Sequence, residues 1–508
     1  MSDKAIRKIV IVGGGAAGWM AAAPLAQRLG AHCEIVLVES PEIGTIGVGE
    51  ATLPTLRFYN QSLGLDGTDF IKKTQATFKL GIEFKDWGHR GNRFFHGFGG
   101  FGPEIGNRSP HLHWLRLSRA FKAMPSYEAW SMAATMARNM KFTPPHGDTL
   151  SAGHDFSYGF HFDAGLYAAY LRDYAMARGA KRVDGTVVEV EQHAETGFIL
   201  AVRLSDGRRI EGDLFIDCSG FRGLLIEGAL KAGYEDWSDM LPCNSALAVP
   251  CARVPKLAPY TTSTAKSAGW LWRIPLQHRT GNGHVYCSAF TTDDEAARVL
   301  LKGIDGRALD EPRQLRFVTG RRRKSWVKNC VALGLAGGFV EPLESTSINL
   351  IENAVGWLIQ YFPDRDFRPE LADEFNRLLQ ARYESVRDFL ILHYKLTDRT
   401  DSEFWRYCAN MAIPDTLRHQ IETFRETGRV VVYDAQGFKA PSFISMLMGL
   451  GVVPKAGDPF VDMIDLRQLH GHFVRVRDTI VRMVAAMPDH TDYIAQRVAA
   501  SPVPGMVI

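Results

Sequence analysis

A glycine-rich turn between two apolar runs constrains this chain more than any other feature. Lys8–Val12 is a short β-branched run, Ala16–Leu29 has helical spacing, and Glu34–Glu39 (EIVLVE) reads as a second buried strand. Gly13, Gly15 and Gly18 stand between the first two as G-x-G-x-x-G, and Glu39 follows Gly18 by 39 − 18 = 21 residues. This is the dinucleotide-binding fingerprint in the context it requires. Gly13 serves the tight turn, Gly15 lets a pyrophosphate approach the backbone, and Gly18 lets helix and strand pack closely. The helix start, with Ala16 and Ala17, offers backbone N–H groups to phosphate. Glu39 can accept from a ribose hydroxyl and disfavours an extra phosphate there, so FAD or NAD is preferred to NADP. An ordinary core helix after a Gly-rich turn is the plainer alternative, and the flanking strands with their terminal acid tell against it.

Two later stretches read as further strands of the same sheet. Residues 213–220 (DLFIDCSG) form an apolar run with Asp217 at its end, and residues 331–338 (VALGLAGG) run into a Gly-rich turn before a helix from about Ser347. The sheet is thus assembled from distant segments. The fingerprint in its full strand–helix–strand context with a terminal acid occurs once, so a flavin is expected without a stable NAD(P)H site. Residues 235–320 are strand-rich and aromatic, residues 350–430 are helical in pattern, and the tail carries the loop signature GVVPKAGDP and a last amphipathic helix near residues 472–484. The expected fold is α/β, with an FAD-binding Rossmann-like body of the flavin-monooxygenase type. It holds inserted mixed-sheet elements over residues 1–350, and a mainly helical part over 351–508 covers the substrate pocket.

Composition narrows the partners. Lys and Arg number 59 against 56 Asp and Glu, a net charge of +3 over 508 residues. That is too small for a protein that works by neutralising many phosphates, so no nucleic-acid partner is expected. Cysteines at 33, 218, 243, 251, 287, 330 and 408 form no CxxC pair and no zinc spacing, which excludes a metal ladder and fits reduced thiols. The N-terminus, with Lys4, Arg7, Lys8 and an apolar run, imitates a signal peptide, but the fingerprint explains it better. No stretch reaches the roughly 18 apolar residues of a membrane helix, so a cytoplasmic protein without a membrane partner is expected.

Several other residues could carry chemistry, each beside a plainer reading. In ATFKLGIEFKDW (76–87), Phe78, Leu80, Ile82 and Phe84 alternate on one face and leave Lys79 on the other with Thr77, Gly81 and Glu83. Spacing alone makes Lys79 an exposed lysine on a half-buried strand. His96 and Phe98 sit among glycines in RFFHGFGGFG, as a pocket wall or as core. In FVEPLESTSIN (339–349), Glu341 and Glu344 precede Ser345, Thr346 and Ser347. Hydroxyls there are ordinary helix caps, or they bind a small anion. Trp270 and Trp272 place both indoles on one face of a strand, as core or as a wall beside a reactive intermediate.

Taken together, these blocks resemble the flavin-dependent halogenases of the tryptophan-halogenase type. The resemblance rests on GGGAAGW (13–19), GVGEAT (47–52), WLWRIP (270–275, the family's W-x-W-x-I-P) and the FVEPLEST block (339–346), supported by FKLGIEF, FFHGFG and RYESVRDFLILHY. It spans most of the chain to about residue 410. Related flavin hydroxylases share the fingerprint but lack the W-x-W-x-I-P and lysine blocks. The resemblance implies that FAD, reduced by a separate, diffusively coupled NADH-dependent reductase, reacts with oxygen to a hydroperoxide that a halide converts to hypohalous acid. The acid crosses an interior tunnel to Lys79, which holds it by hydrogen bond or as a haloamine. It further implies that Glu344 orients the halogen or takes the ring proton, that Thr346 and Ser347 bind chloride or bromide, and that His96 and Phe98 line the substrate pocket. Trp270 and Trp272 then shield the flavin side. FAD is expected to meet backbone at Gly13, Gly15, Gly18, Gly47, Gly49, Ala51, Leu335 and Gly338, with Gly220 and the rest of 334–338 nearby.

The chemistry suits those residue types. A lysine ammonium, ordinarily protonated to a pKa of roughly 10.4, donates to the oxidant's oxygen and sharpens the halogen's electrophilicity, and burial would shift it toward a halogenatable amine. A carboxylate can accept the ring proton. The departure lies in residues 441–463, where tryptophan-specific members clamp the amino acid's ammonium and carboxylate. No equivalent clamp is legible, although Asp458, Phe460 and Asp462 could substitute. An indole-type substrate, indole or tryptophan, is therefore expected, from a monomer or homodimer. A flavin-dependent aromatic hydroxylase and a flavoprotein without turnover are the competing readings; Lys79, Trp270 and Trp272 discriminate against the first, and the pairing of Lys79 with Glu344 against the second.

Overall fold

Val10 and Ile11 of one apolar stretch, Val36 of a second and Phe215 of a third are buried side by side because their three strands lie parallel in one sheet. The computed structural model describes residues 4–41, 49–145, 156–433 and 437–498. They divide into two units: one of residues 1–76, 162–238 and 316–384, the other of residues 77–161, 239–315 and 385–508. The helix Ser347–Gln360 runs through the 350/351 division expected from sequence. Packing recruits segments by face complementarity, and sequence continuity carries no weight in it.

The first unit is built on a six-stranded sheet ordered Trp326–Val327, Cys330–Ala332, Leu214–Asp217, Lys8–Val12, Glu34–Glu39 and Lys181–Asp184. Its pairs are parallel except for the hairpin at Trp326–Val327. Parallel strands covered on both faces read as continuous apolar runs, which is why these segments were recognisable. The predicted strand–helix–strand bounds match the observed Lys8–Val12, Ala16–Leu29 and Glu34–Glu39.

The second unit carries a seven-stranded sheet ordered Arg313–Arg316, Ser245–Ala252, Arg279–Tyr286, Gly269–Pro275, Thr261–Lys266, Gly81–Lys85 and Arg93–Gly97. Neighbours among Ser245–Ala252, Arg279–Tyr286, Gly269–Pro275 and Thr261–Lys266 are antiparallel, while Thr261–Lys266 meets Gly81–Lys85 in parallel. Aromatic residues of the 235–320 stretch pack here with others from distant segments. Trp87 is fully buried against Trp270, Tyr394 and Trp405, with centroids 6.3, 5.3 and 5.6 Å away. Such tilted and edge contacts suit the ring quadrupoles. The helix expected near residues 472–484 is longer, Leu466–Ala485, and a further short helix, His490–Val498, follows. No helix among the described residues is long and apolar enough to cross a membrane.

Candidate active site

In the first unit three glycine-bearing turns converge at the carboxyl ends of the parallel strands. Gly13 has φ of +115°, and a Cβ there would lie 2.1 Å from the carbonyl oxygen of Cys218. A Cβ at Gly18 would lie 1.9 Å from the Gly13 oxygen, while at Gly15 it would meet nothing within 4 Å. The first and third glycines are thus demanded by packing, and the second leaves room at the helix start. The Ala16–Leu29 helix has no side-chain cap and no acid in its first turn, so its N–H groups face that room with their positive end. Gly334 brings the VALGLAGG turn against Ala17, where a Cβ would come within 2.7 Å. Leu335 belongs to that turn, and Gly338 follows at the strand Gly338–Phe339. Gly49 and Ala51 lie on the strand Gly49–Ala51, while Gly47 falls outside the described residues. These features fit a dinucleotide: a bare helix end, a backbone without side chains, and an acid at the second strand.

Two acids of this region are already engaged. Glu39 pairs with Arg182. Asp217 is fully buried and accepts from the Leu225 and Ile226 N–H groups, both at 2.8 Å, and from Ser219. It ties the strand end to the turn that follows it.

The FVEPLEST block forms a tight turn into the helix Ser347–Gln360. Ser345 adopts the left-handed conformation, φ +60°, which non-glycine residues rarely take. Glu341 and Glu344 are 1% and 0% exposed. Thr346, where the helix begins, is fully buried, and its hydroxyl has no hydrogen-bond partner among the described residues. A buried hydroxyl without a partner costs stability, and here it stands at a helix start that has no acid in its first turn. The plain capping expected of Ser and Thr is absent, since no side chain caps this helix.

In the second unit the expectation for Lys79 from spacing is overturned. Lys79 is 0% exposed, as are Thr77 and Glu83 on the same parity. The stretch 76–87 is not one strand with a wet face. Thr77–Lys79 pairs with Gly159–Asp163, whereas Gly81–Lys85 joins the large sheet. The chain changes partner at Gly81, where a Cβ would fall 2.2 Å from the His96 oxygen. Both faces are covered, so alternation could not report exposure. Glu83 shows what such burial needs. Burial pushes its carboxyl up, but Lys85, Arg93 and Arg138 outweigh that and hold it below the usual range.

The Lys79 Nζ lies 5.1 Å from the centroid of the Phe98 ring, within cation–π range. The Phe98 N–H donates to the Leu80 carbonyl, so lysine and ring are joined through backbone as well. His96 packs with tilted rings 5.8 Å from Phe389 and 6.5 Å from Phe438. Phe389 and Phe438 were not singled out in the sequence; Phe389 lies within RYESVRDFLILHY, where helical periodicity alone marks it as core. Trp270 and Trp272 share a face, 6.1 Å apart, and Trp272 lies over Gly283, where a Cβ would meet the indole at 2.0 Å.

The two acids offered as a substitute clamp, Asp458 and Asp462, already have partners. Asp458 is 2% exposed, caps the short helix Pro459–Asp462 through the Phe460 and Val461 N–H groups, and pairs with Arg108 and Arg429. Phe460 is exposed under the Arg108 guanidinium, and Asp462 faces Arg116. A carboxylate already satisfied by backbone and two guanidiniums is not available to a ligand ammonium.

Comparison with known proteins agrees with these features. The family model described as Tryptophan halogenase matches residues 8–466. BrvH, a flavin-dependent halogenase from Brevundimonas sp. BAL3, superposes with a TM-score of 0.94 at 45% identity, covering 97% of this chain and 100% of that one. Xcc4156, a flavin-dependent halogenase from Xanthomonas campestris, gives 0.94 at 42% identity, covering 99% and 100%. The 7-chloro-L-tryptophan 6-halogenase KtzR of Kutzneria sp. (strain 744) is 35% identical over 96% of this chain and 99% of its own length. With the fingerprint, the buried lysine and the W-x-W-x-I-P strand each in place, the chain belongs to the tryptophan halogenase family and is a flavin-dependent halogenase.

Proposed function

We propose that the enzyme halogenates an electron-rich aromatic of the indole type, indole or tryptophan, using reduced FAD, oxygen and chloride or bromide, with hypohalous acid delivered at Lys79. The observation that carries this reading is the fully buried lysine held against the Phe98 ring. A buried cation is costly unless it is paired and hydrogen-bonded, so a fully buried lysine needs surroundings built to hold it.

FAD would be held by the Gly13–Gly18 turn, Ala16, Ala17, Glu39, Gly49, Ala51, Leu335 and Gly338; when bound and reduced it supplies the electrons for activating oxygen. A separate NADH-dependent reductase reduces it, in keeping with the single fingerprint. The Thr346 hydroxyl and the helix start at Ser347 bind the halide, which satisfies the orphaned donor. Lys79 donates a hydrogen bond to the hypohalous oxygen and so draws electron density from the halogen. His96 and Phe98 hold the flat substrate ring by face and edge contacts. Glu344 accepts the proton that leaves the ring carbon once the halogen has added. Trp270 and Trp272 screen the flavin side from the substrate. The engagement of Asp458 supports an unclamped indole over free tryptophan, and bromide is the more easily oxidised halide.

The test supplies purified protein with FAD, a flavin reductase, NADH and bromide or chloride, and follows a panel of indoles, tryptophan, phenols and pyrroles by mass spectrometry. A halogenated indole is the expected product. Hydroxylated product without halogen overturns the reading in favour of a monooxygenase.

A further inference from the structure

A hydrogen-bond chain that starts in the W-x-W-x-I-P strand runs beside Lys79. Thr77, two residues before Lys79 on the same short strand, donates its hydroxyl to the carbonyl of Pro275 at 2.7 Å. A threonine hydroxyl has one proton to give. With that proton committed, Thr77 Oγ1 only accepts from its other neighbour, His161 Nδ1, 3.0 Å away. Nδ1 therefore carries a hydrogen. Burial, then the charges of Lys79 and His490, push the His161 ring well below its usual 6.5, so the ring is neutral and its Nε2 is an acceptor. Thr261 Oγ1, at 2.9 Å, donates to it. Thr77 and His161 are 0% exposed and Thr261 is 5% exposed, so water does not compete.

The register puts this chain beside the lysine. Thr77 pairs with His161 and Lys79 with Gly159, so Thr77, Lys79 and His161 project from one face of the two-strand ladder. The backbone on either side is tied as well. The Phe78 N–H donates to His490 Nε2 at 3.2 Å, His490 Nδ1 bonds the Leu257 carbonyl at 2.8 Å, and the Leu80 N–H donates to the Pro259 carbonyl at 2.7 Å.

We propose that Thr77 and His161 are positioning residues for Lys79: the chain Pro275–Thr77–His161–Thr261, with His161 as the Nδ1–H tautomer, fixes the lysine over the Phe98 ring and thereby the point at which the oxidised halogen meets the substrate. This rests on the role proposed above for Lys79. It also gives the W-x-W-x-I-P motif a second task, since its proline carbonyl is the fixed acceptor from which the tautomer follows.

The test compares Thr77→Val, which keeps the shape and removes the hydroxyl, with Thr77→Ser, which keeps the hydroxyl. Bromoindole formed from indole and bromide in the FAD, reductase and NADH system is measured beside free hypobromite captured by phenol red. Thr77→Val is expected to lower kcat by roughly 10- to 100-fold, the scale of a small misplacement of a reacting group. KM for indole should stay nearly unchanged while the share of escaped hypobromite rises, and Thr77→Ser should restore most of the rate. Wild-type kcat and coupling in Thr77→Val overturn the proposal, as does a Thr77→Ser enzyme no better than Thr77→Val. Should Thr77→Val fail to fold, the ring ¹⁵N shifts of His161 in the wild-type protein, assigned by their loss in His161→Gln, decide instead. A protonated Nδ1 with a bare Nε2 supports the chain, and a protonated Nε2 overturns it. Lys79→Ala separates the two claims: product persisting there removes the lysine's role itself, whereas loss there beside a wild-type Thr77→Val overturns only the positioning.

Discussion

The two sheets bind their chemistry in different ways. The parallel sheet of the first unit presents mostly backbone: a bare helix end, three glycine-bearing turns, and a hydroxyl at Thr346. The antiparallel-rich unit presents one side chain, Lys79, in surroundings drawn from residues near 98, 161, 261, 275 and 490. A backbone site needs glycine at fixed spacing, so it leaves a local mark in sequence. A side-chain site takes its character from whatever packs on it, and that arrives from far along the chain.

The sharpest way to break this contrast is to remove the side chain. Lys79→Ala should lower halogenation on the order of 100- to 1000-fold, the scale of losing a preorganised donor, and leave FAD affinity unchanged in a fluorescence titration. A matching loss of FAD affinity would show that the two sites are not separable. Next, Gly18→Val should weaken FAD binding by at least roughly tenfold, because its Cβ has no place beside the Gly13 oxygen. Wild-type FAD affinity would mean that helix and strand tolerate separation.

Gly283→Ala should act within the second unit by pushing on the Trp272 indole, costing about 1–3 kcal/mol in urea unfolding, as overpacking does. The smallest expected effects concern protons, and buried groups in the two units show the two signs. Burial lowers His111, His284 and His490 of the second unit to about 4, so the folded state holds fewer protons than the unfolded chain and stability falls as pH drops from 6.5 toward 4. Burial raises Glu352 of the first unit to about 7, so its contribution is present below 4.5 and is lost as pH rises through 7. Glu352→Gln should therefore raise Tm by about 2 °C at pH 8 and by much less at pH 5. An equal gain at both pH values would remove the proton from the explanation.

Legibility followed the same divide. The bounds of the first strand, helix and strand were readable, as were the later strands near 213–220 and 331–338, because continuous apolar runs between glycines have few other structures open to them. Lys79 was misread from its spacing as exposed. Alternation reports one apolar face and is silent about a polar face that another element covers. Asp458 was readable as an acid near the rim but not as a capped, doubly paired one, since its guanidinium partners lie at 108 and 429. His161, Thr77 and Phe438 gave no sequence signal that separates them from ordinary core residues.

By itself the sequence determined the dinucleotide fold and, through four blocks, the family, because those features are written in short-range spacing that backbone geometry forces. Only the tertiary structure decided that Lys79 is dry, that the Thr346 hydroxyl has no partner among the described residues, and that the W-x-W-x-I-P carbonyl accepts from a threonine bonded to a histidine 114 residues earlier in the chain (275 − 161). The reason is physical: burial and hydrogen-bond direction are properties of what surrounds a group, and in this chain the surroundings are supplied by residues remote in sequence.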